Sequence, residues 1–424
     1  MAVWKRLAAL VATVALLTGC GGFPPGEDVE EMLRVPQATQ QQSAVQKALT
    51  AAMGDTLQLK YPRGGDEMAP LLLDDFDADG ETEALVFYTL KNKSQNVNFA
   101  VLEQQEGEWV VVQQVSGLSS ELASVERVSF LQTGIQFVVG YANTNLADKY
   151  LAIYSYDGQQ VSTLYTQAYD SYVVADFTGS GTPELVLIPT VAESGALSIQ
   201  LAGVTNGKME LWHTVQMDER FTSCSSLMLS IYGNVRGLVV DGTFSSGAHA
   251  SQVWRVMGKS LVECAGSNAE DIPRQSVRYI TSLNSTDMSN NGLILVPQVL
   301  GSAAPDQLVN RLYYVQWNNY LAVDSALQFG IYDSEYSYYI RLPEAWRDTI
   351  EISLSTAQDD SWSVLDAQTQ RILVNVRIVE SPSTLPNSFV QGIRVGDKYV
   401  MFYFSGECST LDAQIIQRGI RVIE

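Results

Sequence analysis

Short apolar segments rich in β-branched and aromatic residues, separated by turn residues, fill most of the chain from about residue 57 to residue 323. Segments such as Leu151–Tyr156 and Met209–Trp212 are bounded by Gly, Asn or Asp. The apolar spacing of an amphipathic helix is nearly absent from this region. The pattern therefore predicts a β-rich region of short strands joined by tight turns.

Two sets of turn residues recur in step along this region. The first set falls at Gly80, Gly134, Gly181, Gly233 and Gly292. The second set follows later in each unit, at Glu106-Gly107, Asp157-Gly158, Asn206-Gly207, Met257-Gly258 and Asn318-Asn319. A unit of about 50 residues with four short strands has the size of one propeller blade. We therefore predict a mainly β fold, with a β-propeller-like array of about five four-stranded blades over residues 57–325.

The pattern changes on both sides of the repeats. Residues 21–56 combine a Gly- and Pro-rich tether with a helix-compatible segment. After residue 325, strand-like segments at Ile350–Thr356, Trp362–Asp366, Ile372–Val379 and Val400–Phe404 precede a helix-like Thr410–Arg418. This order predicts a small α+β domain over residues 326–424. Its opening, Tyr338–Trp346, resembles the start of PsbP/Mog1-type domains.

The first twenty residues have the pattern of an export signal. Lys5 and Arg6 precede an apolar run, Leu7–Leu17, which is too short to span a bilayer as a helix. The run ends in Leu-Thr-Gly-Cys20, which resembles the lipobox of bacterial lipoproteins. The resemblance implies a signal peptide over residues 1–20, lipid on Cys20, and an extracytoplasmic protein anchored to the cell membrane. An ordinary signal peptide with an incidental cysteine is the alternative.

Three of the first turns share an acidic frame. They read DFDADGETE at Asp75–Glu83, DFTGSGTPE at Asp176–Glu184 and DMSNNGLIL at Asp287–Leu295. They resemble the loops of the FG-GAP and VCBS β-propeller repeats, known from integrin α-chains and bacterial surface proteins. That resemblance implies a loop between the first two strands of a blade that often holds calcium. The second and fourth units depart from the motif.

The first loop is the candidate metal site. Its carboxylates alternate along the chain, and Gly80 permits a tight turn, so the side chains of Asp75, Asp77 and Asp79 can converge. The Glu81 carbonyl and the Glu83 side chain can complete a cage of hard oxygen ligands, which calcium prefers. The alternative is an Asp-rich turn whose side chains accept hydrogen bonds from their own backbone.

Charge and composition limit the partners. The formal net charge of −21 disfavours nucleic acid, so we expect a glycan, peptide or protein ligand, although solubility alone explains acidity as well. The two histidines, His213 and His249, lie in different units, and no nucleophile motif accompanies them. These features favour a non-catalytic binding or scaffolding module. An enzyme that processes envelope polysaccharides or peptides, and a purely structural lipoprotein, remain the alternatives.

Cysteine positions leave one question open. Cys224 and Cys264 lie at opposite ends of one repeat unit, in a compartment that permits disulfides. Either a disulfide between them or two buried free thiols fits this spacing. Cys408 has no partner in either case.

Overall fold

The computed structural model describes residues 39–54, 56–91, 95–190, 195–264, 272–303, 311–322, 326–355 and 360–423. The predicted signal peptide, Cys20 and most of the tether lie outside these residues. The fold is mainly β, as predicted, with 54% of residues in strands and 9% in helices. No helix of the described chain is long and apolar enough to cross a membrane.

The described helices are α1 (Gln40–Met53), α2 (Ile272–Gln275) and α3 (Thr410–Arg418), with short 3-10 turns at Glu344–Trp346 and Pro382–Thr384. The strands of the first half are β1 (Leu57–Leu59), β2 (Leu71–Asp74), β3 (Glu83–Leu90), β4 (Asn98–Gln105), β5 (Glu108–Ser116), β6 (Glu121–Val128), β7 (Gln136–Ala142), β8 (Lys149–Tyr156), β9 (Val161–Ala175), β10 (Glu184–Pro189), β11 (Ser198–Thr205) and β12 (Lys208–Gln216). The strands of the second half are β13 (Phe221–Tyr232), β14 (Val235–Phe244), β15 (His249–Met257), β16 (Ser260–Glu263), β17 (Val296–Ser302), β18 (Leu312–Asn318), β19 (Ala326–Asp333), β20 (Tyr338–Leu342), β21 (Ile350–Leu354), β22 (Trp362–Asp366), β23 (Ile372–Val379), β24 (Val390–Val395), β25 (Lys398–Phe404) and β26 (Ile420–Val422).

The strands form antiparallel sheets that follow the chain. Sheet 1 holds β1 to β5, and β6 to β12 form one continuous seven-stranded sheet. We treat this seven-stranded sheet as two units divided within β9, because the first half of that strand pairs with β8 and the second half with β10. Sheet 2 is then β6 to β9 and sheet 3 is β9 to β12, whereas sheet 4 holds β13 to β16. Sheets 2, 3 and 4 are thus four-stranded meanders, as a blade requires, and sheet 1 contains the meander β2 to β5 with β1 as an extra short strand beside β3.

Sheets 5 and 6 contain the rest of the chain. Sheet 5 has the order β17-β18-β19-β20-β26, and sheet 6 has the order β21-β22-β23-β25-β24. The predicted boundary between residues 325 and 326 falls inside sheet 5, where Val315 of β18 pairs with Gly330 of β19. The boundary therefore needs correction, because backbone hydrogen bonds join the two sides. The last strand, β26, returns to pair with β20 at the edge of the same sheet.

Hydrophobic side chains link each sheet to the next in chain order. Helix α1 covers the outer face of sheet 1 with Val45 and Leu49. Five clusters of buried side chains span successive sheets; their members include Phe99 and Phe137, Leu151 and Leu185, Val186 and Leu238, Val239 and Val296, and Phe329 and Val364. Among the described residues, no such cluster joins sheet 6 back to sheet 1. The predicted number of blades stays a prediction.

Both sets of predicted turns lie at one end of their sheets. In an antiparallel meander the first and third turns share an end, whereas the second turn lies at the other. We call this end the loop end. It carries the turns β2–β3, β4–β5, β6–β7, β8–β9, β9–β10, β11–β12, β13–β14 and β15–β16. The five glycines of the first set all have positive φ, from 58° at Gly233 to 92° at Gly80, as such turns require.

Candidate functional site at the loop end

The acidic loop between β2 and β3 is organised by its first aspartate. Asp75 Oδ1 accepts the amide hydrogen of Asp79 at 3.1 Å, and Oδ2 accepts that of Gly80 at 3.0 Å. Asp79 Oδ1 in turn accepts the amide hydrogen of Glu81 at 2.7 Å. The capping of backbone amides by side chains, which the sequence left as an alternative, is therefore present in this turn.

Three of the five predicted ligands lie together. One carboxylate oxygen from each of Asp75, Asp77 and Glu83 lies within 4.8 Å of the others. The carboxylates of Asp79 and Glu81 are exposed and do not belong to this group, and the Glu81 carbonyl stays a predicted ligand. A carboxylate has about four lone-pair directions, so an oxygen that accepts one amide hydrogen can still bind a cation. The donor set fits a hard divalent cation such as calcium.

Burial makes the group electrostatically unfavourable without a cation. Glu83 is buried, and burial together with the charges of Asp77, Asp79 and Asp75 raises its pKa to about 7. Burial also raises the pKa of Asp77, and the charges of Asp79, Asp75 and Glu103 add to the effect. In the described chain, no basic side chain forms an ion pair with Asp75, Asp77 or Glu83.

In the second acidic loop, protein side chains compensate the carboxylates. Thr178 donates a hydrogen bond from Oγ1 to Glu184 Oε1 at 2.7 Å. A guanidinium nitrogen of Arg236, from β14 of the next sheet, lies 3.9 Å from Asp176 Oδ2. This loop therefore has two carboxylates, a hydroxyl donor and a cationic side chain, whereas the first loop has three clustered carboxylates and no such cation among the described residues.

The third loop keeps the turn but not the ligands. Gly292 donates its amide hydrogen to Asp287 Oδ2 at 2.6 Å, as Gly80 and Gly181 do to their aspartates. Leu295 stands at the last ligand position and pairs with Thr286 through the backbone instead. The three loops thus share a backbone frame, and only the first clusters three carboxylates.

A cavity of about 720 Å³ opens at the loop end between sheets 2, 3 and 4. Its walls come from the β6–β7, β9–β10, β11–β12 and β15–β16 turns together with Trp212 of β12. Lys259 Nζ lies 4.6 Å from the centre of the Trp212 ring. The repeat pattern predicted these turns, but it gave no signal that this tryptophan and this lysine would meet.

A buried polar cluster was also invisible in the sequence. Asp241 accepts a hydrogen bond from Ser251 Oγ at 2.5 Å and another from Ser285 Oγ at 2.7 Å. A guanidinium nitrogen of Arg278 lies 3.4 Å from Asp241 Oδ1, and both side chains are fully buried. These residues come from distant segments and have no access to solvent, so they stabilise the contact between sheet 4 and the segment before sheet 5 rather than meet a substrate.

The histidines do not form a joint site. His213 Nδ1 accepts the amide hydrogen of Leu261 at 3.1 Å and so links sheets 3 and 4. His249 begins β15, and its backbone pairs with that of Arg278. Burial and the nearby positive charge of Arg278 lower the pKa of His249. Neither histidine lines the loop-end cavity.

Cys224 and Cys264 are free thiols, so the disulfide alternative is wrong. Cys224 lies on β13 and Cys264 directly follows β16, which are the two edge strands of sheet 4. Three strand spacings of about 4.8 Å put them roughly 14 Å apart, whereas a disulfide needs Cα atoms within about 7 Å.

No protein-family model matches the chain, and no curated protein does. Among solved structures, a rhamnogalacturonan lyase of Bacillus licheniformis shares 8% identity at a TM-score of 0.29, over 82% of this chain and 91% of the other. An α-L-arabinanase of Penicillium chrysogenum shares 10% at 0.30, over 84% and 99%. The fission yeast SREBP-SCAP binding domains share 9% at 0.33, over 93% and 99%. Similarity this low extends no activity to this chain.

Proposed function

We propose that this protein is a non-catalytic binding or scaffolding module, held at the outer face of a membrane by lipid on Cys20, with calcium bound in its first acidic loop. One observation carries the calcium assignment: carboxylate oxygens of Asp75, Asp77 and Glu83 lie within 4.8 Å of one another. The resemblance of the Asp75–Glu83 loop to FG-GAP repeats supports the same assignment.

Charge balance is the physical argument for a cation. Two ionised carboxylates about 5 Å apart repel each other by roughly 3 kcal/mol at an effective dielectric constant near 20. The raised pKa values of Glu83 and Asp77 reflect burial and this repulsion. The second loop meets a smaller excess of charge with Thr178 and Arg236. Calcium would supply the corresponding positive charge in the first loop and hold that turn against sheet 2.

The grouping of loops at one end of the sheets supports the binding role. Eight turns from four sheets collect at one end, and a cavity opens among them. Strands position such turns rigidly, which suits recognition, although a fold alone does not establish a function. The chain would then expose this end at the cell surface, while the N-terminal lipid holds it to the membrane.

An envelope-polymer enzyme is the second candidate, and one observation favours it. Glu83 has a pKa raised to about 7 beside two other carboxylates, as a general acid requires. An enzyme would convert such polymers into products, whereas a binding module would leave them intact. The full-length protein, incubated with cell-wall fragments and polysaccharides, should give no new products by chromatography. Product formation that disappears in Glu83→Gln would favour the enzyme.

The calcium assignment is tested by calorimetric titration of the metal-free full-length protein. We expect one calcium ion to bind per chain, with magnesium binding more weakly because it demands stricter octahedral geometry. Asp77→Asn should abolish this binding. Asp287→Asn is the matched control, because it alters the equivalent turn of the third loop, which has no clustered carboxylates. This variant should bind calcium like the wild type. Absence of calcium binding to the wild type would contradict the assignment.

The anchor is tested separately, by detergent-phase partition. The mature wild-type protein should enter the detergent phase, because two acyl chains on one residue hold a protein stably in a membrane. Cys20→Ala should leave the protein unprocessed or released. Equal partition of the variant and the wild type would contradict lipidation at Cys20.

A further inference from the structure

The Trp212 ring in the loop-end cavity is fixed by its own sheet. A β-bulge between Leu201 and Ala202 shifts the register of β11 against β12, so that Trp212 lacks a directly opposed residue. The indole lies against Gly203, where a Cβ atom would overlap its six-membered ring. The indole Nε1 donates a hydrogen bond to Thr205 Oγ1 at 3.0 Å. The bulge, the glycine and the hydrogen bond together hold the ring in one orientation.

Lys259, from the β15–β16 turn of sheet 4, lines the cavity beside Trp212. Its Nζ donates a hydrogen bond to Thr205 Oγ1 at 2.5 Å and lies 4.6 Å from the Trp212 ring centre. An ammonium group has three donors, so further hydrogen bonds to a bound molecule remain available. A cation–π contact at an exposed site contributes only about 0.5–1 kcal/mol, so a ligand can displace the lysine from the ring face.

The β6–β7 and β9–β10 turns bring uncharged polar side chains to the cavity, together with the apolar Leu131 and Pro183. Gln132 and Thr133 come from the β6–β7 turn and Thr182 from the β9–β10 turn. Within the described chain, these three side chains have no hydrogen-bond partner, so their donors and acceptors are available to a ligand. Glu184 is the carboxylate of the lining, but it is buried, and its oxygens accept hydrogen bonds from Phe177 and Thr178.

We propose that this cavity binds a saccharide. A sugar ring has apolar C–H faces that pack on an indole and hydroxyl groups that pair with amides, hydroxyls and an ammonium group. The cavity offers that combination, and its volume of about 720 Å³ lies in the usual range of small-molecule sites. A peptide would be recognised through a free strand edge or a hydrophobic groove, whereas turns and side chains form these walls. The inference rests on the proposed binding role but not on calcium.

The test is a binding screen with the full-length protein. The probes are tetrasaccharides of glucose, N-acetylglucosamine, arabinose and galacturonic acid, with a pool of tetrapeptides as the competing class. We expect at least one tetrasaccharide to bind and to change tryptophan fluorescence. Trp212→Ala should weaken that binding at least tenfold, and Lys259→Gln, on an exposed turn that tolerates substitution, several-fold. Leu211→Ala is the matched control, since Leu211 is exposed on the same strand and does not line the cavity.

Three outcomes would overturn the inference. These are no binding of any tetrasaccharide, saccharide binding that survives both Trp212→Ala and Lys259→Gln, and binding of tetrapeptides alone. Cleavage of a tetrasaccharide that is lost in Trp212→Ala would instead contradict the non-catalytic role and leave the saccharide site standing. The two proposals can therefore fail separately.

Discussion

Asp77 Oδ2 lies 2.6 Å from the point where a Cβ atom on Gly158 would stand. The acidic loop of sheet 1 thus contacts the backbone of the β8–β9 turn in sheet 2. Nearby, Tyr156 donates a hydrogen bond to Glu103, whose charge helps raise the pKa of Asp77. The glycine that the repeat pattern assigns to a turn therefore also leaves room for a predicted calcium ligand.

Gly158→Ala should consequently weaken calcium binding. The new methyl group would push Asp77 away from Asp75 and Glu83, and calcium affinity should fall about tenfold in calorimetric titration. Gly107→Ala is the matched control, because Gly107 has a similar φ of 85° against 79° and no atom within 4 Å of the added Cβ. Both variants should lose about 1 kcal/mol from left-handed strain. Equal calcium affinity in the two variants would contradict this role of Gly158.

Two glutamates on β6 should respond to pH with opposite sign. Burial raises the pKa of Glu126, despite a hydrogen bond from Tyr172. The folded state therefore favours protonated Glu126, and its contribution to stability is lost as pH rises above its usual value of 4.5. Glu126→Gln keeps an acceptor for Tyr172 and removes the charge, so it should stabilise the protein at pH 7 by about 1 kcal/mol.

Glu121→Gln is the opposite case on the same strand. Burial alone would raise the pKa of Glu121, but hydrogen bonds and charges from Lys60 and Arg63 outweigh it and lower the pKa. Its contribution is present at neutral pH and is lost on acidification. The substitution should cost up to about 1 kcal/mol at pH 7 in denaturant unfolding. The same sign for both variants at pH 7 would refute this assignment.

The cysteines should behave as unreactive thiols. Burial raises the pKa of Cys224 to about 12 and that of Cys264 to about 11, so little reactive thiolate forms at neutral pH. We expect slow alkylation of both residues in the native protein and rapid alkylation after denaturation, without reductant. A mass-spectrometric cross-link between Cys224 and Cys264 would contradict the arrangement of sheet 4.

A fragment that ends at residue 325 should be insoluble or sensitive to proteolysis. It would lack β19, β20 and β26, and it would expose the unpaired edge of β18 together with the buried face of sheet 5. A chain covering residues 39–423 is the control and should be soluble and resist proteolysis. A stable, soluble fragment covering residues 54–325 would restore the boundary that the sequence predicts.

Much of this fold follows from local patterns. The turn glycines and β-branched segments predicted the first four sheets, and Thr410–Arg418 is the helix α3 with the predicted ends. The division at residue 325 was misplaced because the sequence shows where strands lie but not which strands pair. β19 and β20 extend sheet 5, and β26 joins it from 78 residues beyond the end of β20, a long-range pairing that no local pattern reveals.

The site was predicted in part for the same reason. Asp75, Asp77 and Glu83 lie within one turn, so their spacing in the chain reports their proximity in space. The carboxylates of Asp79 and Glu81 are exposed and lie outside this group, and that of Asp79 accepts the Glu81 amide hydrogen instead. Arg236 and Lys259 of sheet 4 meet Asp176 and Trp212 of sheet 3, so only the packing of sheets brings these partners together.

The most direct test of the proposed calcium site is the melting temperature of wild type and Asp77→Asn, each with excess calcium and with chelator. With chelator, the variant should melt at or above the wild type, because one of three repelling carboxylates is gone. With calcium, the wild type should melt higher, since a ligand at a hundredfold excess over its dissociation constant adds about 2.7 kcal/mol. This reversal of order is the predicted result. A wild-type melting temperature that calcium does not change, or a variant that is less stable in both conditions by the same amount, would contradict the account.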